Sequence, residues 1–252
     1  MNKTLCYAFA PLVMAVAAAA PAASGPSPTD PKATEVWSPV PAKVTPGARP
    51  GAPPSDAVIL FDGKSTAGWK SAKDGSPAKW QVENGELVVA PGAGDIQTSE
   101  SFGDVQLHLE WYAPQLPADK QGQDRANSGI FLQDVYEVQI LDTFENKTYV
   151  NGQAGSVYKQ FPPLVNANLP AAQWQSYDII FTAPRFGADG SVKSPARITA
   201  LHNGVLVQNN VVLKGATTYI GYPEYKAHGN LPLRLQDHSH KVRFRNLWLR
   251  KL

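Results

Sequence analysis

The chain has 252 residues, with 23 Lys and Arg against 21 Asp and Glu, a formal net charge of +2 and one cysteine. The charges are interspersed and form no basic block, which argues against a nucleic-acid partner. After the leader, no stretch approaches the roughly 20 consecutive apolar residues that a membrane-crossing helix needs, so no membrane span is expected.

Residues 1–22 read as a secretory signal peptide. Lys3 gives the positive start, Leu5 to Ala20 the apolar run, and Ala20-Pro21-Ala22 a small-residue cleavage pattern, with cleavage expected after Ala22. The protein is therefore expected to be exported, either periplasmic or secreted. Cys6 falls inside the leader, so the mature chain is expected to hold no thiol, no disulfide and no cysteine-bound metal. Residues 23–56 form a Pro-rich extended arm or linker, since GPSPTDP and PGARPGAPPSD can build neither a helix nor a central strand. Trp37 is the expected anchor of that arm, because a tryptophan left in water forgoes a large apolar burial. Residues 57–252 remain as one folded domain, long enough for a single large core.

Within it almost every segment reads as strand and turn. Val58 to Phe61 runs into Asp62-Gly63. Trp80 to Glu83 and Glu86 to Val89 flank Asn84-Gly85, a two-residue hairpin signal. Val105, Leu107, Leu109 and Trp111 alternate with Gln106, His108, Glu110 and Tyr112, the strongest strand pattern of the chain. Tyr177 to Phe181 is another strand, and Arg197 to Leu201 pairs with Val205 to Val207 around Asn203-Gly204. Leu231 to Gln236 and Val242 to Leu249 close the domain. No amphipathic helix longer than two turns is visible. Many short strands separated by turns predict an all-β fold, a jelly-roll sandwich of two antiparallel sheets.

The segment Asn127 to Asp142, NSGIFLQDVYEVQILD, concentrates the chemistry. On a strand, Tyr136, Val138 and Ile140 take one face and Glu137 and Gln139 the other. Ile130, Leu132 and Leu141 make the region apolar on both sides, which predicts an inner strand with Glu137 and Gln139 facing a cleft. Polar groups so placed need partners or a ligand. Glu137-x-Gln139-x-x-Asp142 resembles the E-x-D-x-x-E strand of laminarinase-type retaining glucanases, in which the outer carboxylates are nucleophile and acid/base. Here the middle position is an amide and the last is shortened to Asp. A second concentration is Leu233 to His240, where Arg234, Gln236 and His238 share a strand face; His238-x-His240 has the composition of a metal-binding pair, or of a solvated turn. Asn127 suits sugar hydroxyls, Tyr158 offers a phenol, and Arg245 sits between Phe244 and Leu247 as a candidate network residue.

Taken together, LFDGKSTAGW (60–69), WQVENGEL (80–87), NSGIFLQ (127–133), YEVQILD (136–142), AGSVYKQFPP (154–163), HNGVLV (202–207) and LQDHSHKVRFRNLWLRKL (235–252) closely resemble the 3-keto-disaccharide hydrolase family. The resemblance implies a concanavalin A-like jelly roll, and an activity that cleaves 3-keto-glucosides by 1,2-elimination and hydrates the resulting 3-keto-2-hydroxy-glucal. The family often has glycine where this chain has Ser239. Such chemistry needs a base for the C2 proton, a stabiliser for the enolate and an acid for the leaving oxygen. On that basis Glu137 or His238 is the expected base, and Asp142 or His238 the acid. Asn127, Gln139, Tyr158, Arg234, Gln236 and Arg245 are the expected substrate-binding residues. The sequence requires no cofactor, though a divalent metal has a chemical place as enolate stabiliser. The expected partner is a small carbohydrate. Two other readings are a non-catalytic, lectin-like carbohydrate-binding module, since fold alone does not give function, and a laminarinase-like glucanase.

Overall fold

The protein is described here by a computed structural model covering residues 29–252; the expected signal peptide and its cleavage point lie outside the described residues. The chain divides into two units, with the boundary between Lys43 and Val44. In the first, Pro31–Thr34 form one 3-10 turn capped by Asp30, whose Oδ1 accepts from Lys32 N at 3.0 Å. Trp37, the expected anchor, lies in this unit. Its side chain stands in a residue that is 78% exposed, and its indole N–H is satisfied locally by Glu35 Oε2 at 3.1 Å.

The second unit, 44–252, begins inside the expected arm rather than at Ala57. Its strands in chain order are β1 (Val58–Phe61), β2 (Trp69–Ser71), β3 (Gln81–Glu83), β4 (Glu86–Val88) and β5 (Ile96–Phe102). There follow β6 (Val105–Tyr112), β7 (Ser128–Leu132), β8 (Tyr136–Ile140), β9 (Trp174–Thr182) and β10 (Arg185–Phe186). The last are β11 (Val192–Ser194), β12 (Arg197–His202), β13 (Val205–Val212), β14 (Leu231–Leu235) and β15 (Arg243–Lys251). One sheet has the order β13-β12-β9-β6-β15-β4-β3, with β1 also paired to β15; the other has the order β2-β5-β14-β7-β8. A short ribbon joins β10 to β11. All these pairings are antiparallel. The architecture is the two-sheet jelly-roll sandwich that the strand pattern predicts.

Alternation builds the core. Val105, Leu107, Leu109 and Trp111 of β6 are buried with Tyr177, Ile179 and Phe181 of β9, and from the other sheet come Tyr136, Val138 and Ile140 of β8. The Tyr136 and Phe181 rings lie 5.7 Å apart between the sheets. Each such side chain removed from water contributes about 1.5–3 kcal/mol. Both predicted two-residue turns take left-handed conformations, Asn84 with Gly85 and Asn203 with Gly204, as hairpin geometry requires.

One expectation is corrected. β8 lies at the end of its sheet and is not an inner strand. It is nevertheless buried along its whole length, because residues 155–158 run along its free edge. Gly155 N donates to Gln139 O at 3.0 Å, Gln139 N to Ser156 O at 3.0 Å, and Tyr158 N to Glu137 O at 3.2 Å. Apolarity on both faces thus reflects a covering loop, not a further strand.

The segment 44–56 straps the outer face of the larger sheet. Gly51 O accepts from Asn246 Nδ2 at 2.8 Å and from Trp248 Nε1 at 2.9 Å, and Asp56 holds Arg250. A side chain at Gly51 would meet the His108 ring at 3.1 Å. His108 is buried against Trp248, with Nδ1 2.7 Å from Asp178 Oδ1 and Nε2 3.9 Å from Glu110 Oε1. Burial alone would lower the His108 pKa, but the Asp178 and Glu110 carboxylates outweigh it and raise it to about 9. A histidine whose pKa rises from 6.5 on folding stabilises fully below pH 6.5 and loses that contribution as pH climbs through 9. His108→Gln is therefore expected to lower the urea midpoint at pH 6 and much less at pH 10. A pH-independent difference would show that charge plays no part.

Candidate active site

The five-stranded sheet sets side chains in rows across its outer face. Glu137 on β8 is opposite Phe131 on β7, Phe131 is opposite Arg234 on β14, and Arg234 is opposite Gln97 on β5. In the next row Gln139 is opposite Gly129. Glycine there has a steric reason: a Cβ at residue 129 would lie 2.6 Å from Glu137 Oε1 and 3.1 Å from the Phe131 ring. The Glu137 carboxylate thus leans into space that the missing side chain leaves.

Glu137 and Gln139 line a cavity of about 510 Å³, together with Gln123, Asn127, Phe131, Tyr149, Tyr158, Lys159, Thr217, Tyr219, Gln236 and His238. Backbone bonds place these walls. Thr217 Oγ1 accepts from Glu137 N at 2.9 Å, the 155–158 segment brings Tyr158 to the edge of β8, and Gln236 N donates to Gly129 O at 3.1 Å. From beneath, Tyr177 donates its hydroxyl to Gln139 O at 2.7 Å.

Among the described residues Glu137 is the only carboxylate lining the cavity, and it is 4% exposed. Burial pushes its pKa up to about 8; Arg234 pulls against that shift and Asp95 adds to it. Its neighbour is suited to both ionisation states. The Gln139 carboxamide lies between Gln123 Oε1 (3.1 Å) and Asn127 Oδ1 (3.2 Å) at one end and Glu137 Oε1 (2.9 Å) and Ser128 O (3.2 Å) at the other. With its NH₂ toward Gln123 and Asn127, its oxygen can accept the proton of a neutral Glu137. With its NH₂ turned toward Glu137, it donates to the carboxylate. Tyr149 and Tyr158 share a hydrogen bond of 2.6 Å between their hydroxyls. Burial raises both phenols above their ordinary pKa, so they act as hydrogen-bonding hydroxyls rather than bases. Gln236 Oε1 is buried without a protein partner, a position that a sugar hydroxyl would satisfy.

Among the residues singled out from sequence, Glu137, Gln139, Asn127, Tyr158, Gln236 and His238 meet at this cavity. Three do not. Asp142 follows the end of β8 and accepts from Arg125 Nε at 2.7 Å and from Phe144 N at 3.1 Å, so it ties the preceding loop instead of facing the cavity. Its odd offset from Glu137, without a register shift in β8, puts it off the Glu137 face. Arg234 stacks on Phe131, its guanidinium carbon 3.6 Å from the ring centre, and is held by Asp95 and Asp134. It acts on Glu137 through charge and does not line the cavity. Arg245 belongs to the other sheet, paired with Glu110 at 2.6 Å and 3.9 Å from the centre of the Trp174 ring.

His238 and His240 stack in parallel with centroids 6.2 Å apart. The Nδ1 of His240 accepts from Asn127 N at 3.3 Å, so its other nitrogen carries the proton facing Asp124 Oδ1 at 3.2 Å. No three His, Cys, Asp or Glu side chains converge as a metal site among the described residues. Ser239, at the family's common glycine position, keeps the left-handed conformation (φ 64°), and Asp237 Oδ1 accepts its N–H at 2.9 Å. Sequence reasoning missed Gln123, Tyr149, Lys159, Thr217 and Tyr219. They come from loops, where no periodicity marks direction, and the only available signal was the recurrence of tyrosine in turn-rich segments.

A second cavity, about 570 Å³, lies around Phe102, Gln133, Arg185 and His228. Arg185 and Lys251 there are paired with Asp104 and Glu100, and it holds no buried carboxylate.

No curated protein matches the chain. A crystal structure of a candidate glycosyl hydrolase from Parabacteroides distasonis ATCC 8503 is 46% identical, with a TM-score of 0.83, covering 88% of this chain and 97% of that one. A second such protein from the same organism is 22% identical with a TM-score of 0.56, covering 78% of this chain and 94% of that one, and shows the fold alone. A 3-keto-alpha-glucoside-1,2-lyase-like domain is matched over residues 56–250. That match takes in both sheets and every residue of the cavity, and the chain belongs to the 3-keto-alpha-glucoside-1,2-lyase-like family.

Proposed function

We propose that this protein is a carbohydrate-active enzyme that cleaves 3-keto-glycosides by eliminating the substituent at C1 and then adding water. The observation that carries the reading is a cavity lined, among the described residues, by one carboxylate, deeply buried and with its pKa pushed up to about 8 by that burial. A ketone at C3 acidifies the hydrogen at C2. Ionised Glu137 takes that proton, and the C–H electron pair forms an enolate between C2 and C3. When the enolate collapses, the C3 carbonyl returns, C1=C2 forms and the C1–O bond breaks. The departing oxygen takes a proton from His238. Water then adds at C1 as the now neutral His238 takes its proton, the electron pair of C1=C2 moves toward C3, and Glu137 returns its proton to C2, which restores both side chains. The Tyr149 and Tyr158 hydroxyls and the Gln139 amide are the polar groups available to the enolate and the sugar hydroxyls.

A paired-carboxylate glycosidase needs two acids about 5–9.5 Å apart across the bond. With Asp142 engaged by Arg125, the cavity lacks the second. A binding module needs no titrating buried carboxylate, which costs stability when ionised. The leader expected at residues 1–22 accords with action outside the cytoplasm. The deciding experiment incubates the protein with a 3-keto-glucoside and with its unoxidised parent. Release of the leaving group from the ketone alone is expected; comparable turnover of the parent would sink the elimination mechanism.

A further inference from the structure

Among the described residues Lys159 supplies the only ammonium in the wall of the cavity, and no carboxylate pairs with it. Its Nζ donates to Tyr219 O at 2.6 Å and lies 4.2 Å from the centre of the Tyr219 ring. The rings of Tyr149 and Tyr158 are 5.7 Å and 5.8 Å away. Among the described residues Lys159 forms no ion pair. It is half-buried, and its backbone is held at φ 57°, a conformation unfavourable for a side chain of this kind. Cation–π contacts offset part of the ammonium's lost hydration, and a charged acceptor would offset more.

Glu137 is not that acceptor. No ion pair joins the two among the described residues, and the charges that act on Glu137 are those of Arg234 and Asp95. The cation therefore stands apart from the reacting carboxylate, on the wall where Tyr219 is 71% exposed and the chain continues through Ile220 and Tyr222, at 82% and 91%. The cavity thus holds two chemically distinct groups, Glu137 with Gln139 on β8 and the Lys159 ammonium among the rings of Tyr149, Tyr158 and Tyr219.

We propose that the cavity selects glycosides whose leaving group carries a carboxylate, with Lys159 as the anion-recognising residue and the tyrosines holding the ring that bears the acid. This rests on the reading above only for which end of the substrate departs. An aromatic acid and a uronic acid present the same group, and the test separates them. Titration calorimetry would compare unoxidised ligands, which report binding whether or not the ketone reaction occurs. The matched pairs are phenyl glucoside with 4-carboxyphenyl glucoside, and a glucosyl-glucose with a glucosyl-glucuronic acid.

In at least one pair the acid is expected to bind about tenfold more tightly, with a preference that shrinks in high salt. The pair that shows it names the source of the carboxylate. Lys159→Met should abolish the preference and Lys159→Arg should retain it, with melting temperatures compared alongside. Equal or undetectable binding of both acids by the unaltered protein, or a preference surviving Lys159→Met, overturns the proposal. Failure of ketone turnover would instead overturn the reaction proposed above and leave this binding result standing.

Discussion

Glu137→Gln is expected to lower turnover of a 3-keto-glucoside by about 10²-fold or more, the range that a positioned general base contributes, while raising the melting temperature above pH 8. The two effects have one origin. The unperturbed carboxyl titrates at 4.5 and the folded one at about 8. Between those values the native state keeps a proton that the unfolded chain has lost, so stability falls as pH rises through the window. Above it the native protein holds a buried charge, which the neutral amide avoids without changing shape. The same titration governs catalysis with opposite sign, because the base must be ionised. In the unaltered enzyme kcat/KM should climb about tenfold per pH unit toward pH 8 and then level. The check is a pair of pH profiles, one of kinetics and one of melting. Full turnover by the variant with an unchanged melting temperature would remove Glu137 from the mechanism.

Gly129→Ala should lower activity by about 10-fold to 10²-fold, since a small displacement of a catalytic group has consequences of that size. The added methyl would need the place occupied by Glu137 Oε1, and the carboxylate is the flexible partner that yields. The backbone is not the obstacle, because Gly129 is not among the residues at positive φ. Stability should therefore change little while kcat falls more than KM rises, as expected when a transition-state contact is lost rather than a binding one. Equal activity of Gly129→Ala would mean that the carboxylate works from a different position.

The strands that alternate cleanly were legible in the chain. Val105 to Tyr112 and the Asn-Gly hairpins follow from local pattern, and the facing of Glu137 and Gln139 follows from Val138 and Ile140 between them. β5 was not legible, because between the core residues Ile96 and Phe102 it carries only Gln, Thr, Ser and Glu, and it is paired on both sides, with β2 and β14. The same limit applies to the site. Strand residues could be placed by parity, which also leaves Asp142 on the wrong side unless a bulge intervenes. Lys159 and Tyr219 arrive on loops whose course depends on contacts distant in sequence, among them Thr217 N to Val135 O. Arg234 had the right strand face but a nearer claim on its charge, from Asp95 and Asp134. In the arm the prolines and Trp37 were the visible signals, yet Gly51 caps Asn246 and Trp248 through its carbonyl, a contact that composition does not encode.

The loop lying along β8 has a consequence for how this enzyme can change. Residues 155–158 occupy backbone groups that would otherwise offer a second molecule a strand to join, and the same few residues deliver Tyr158 and Lys159 to the cavity. Cover for the free edge of β8 and part of the cavity wall are therefore carried by one short segment. Insertions or deletions there that widen the wall for a new leaving group would also bare the end of the sheet. Diversification should therefore favour exchange of side chains at 158 and 159 and growth of the loop around 219. Variants with an altered length between Gly155 and Tyr158 should be recognisable by aggregation before any change in specificity can be measured.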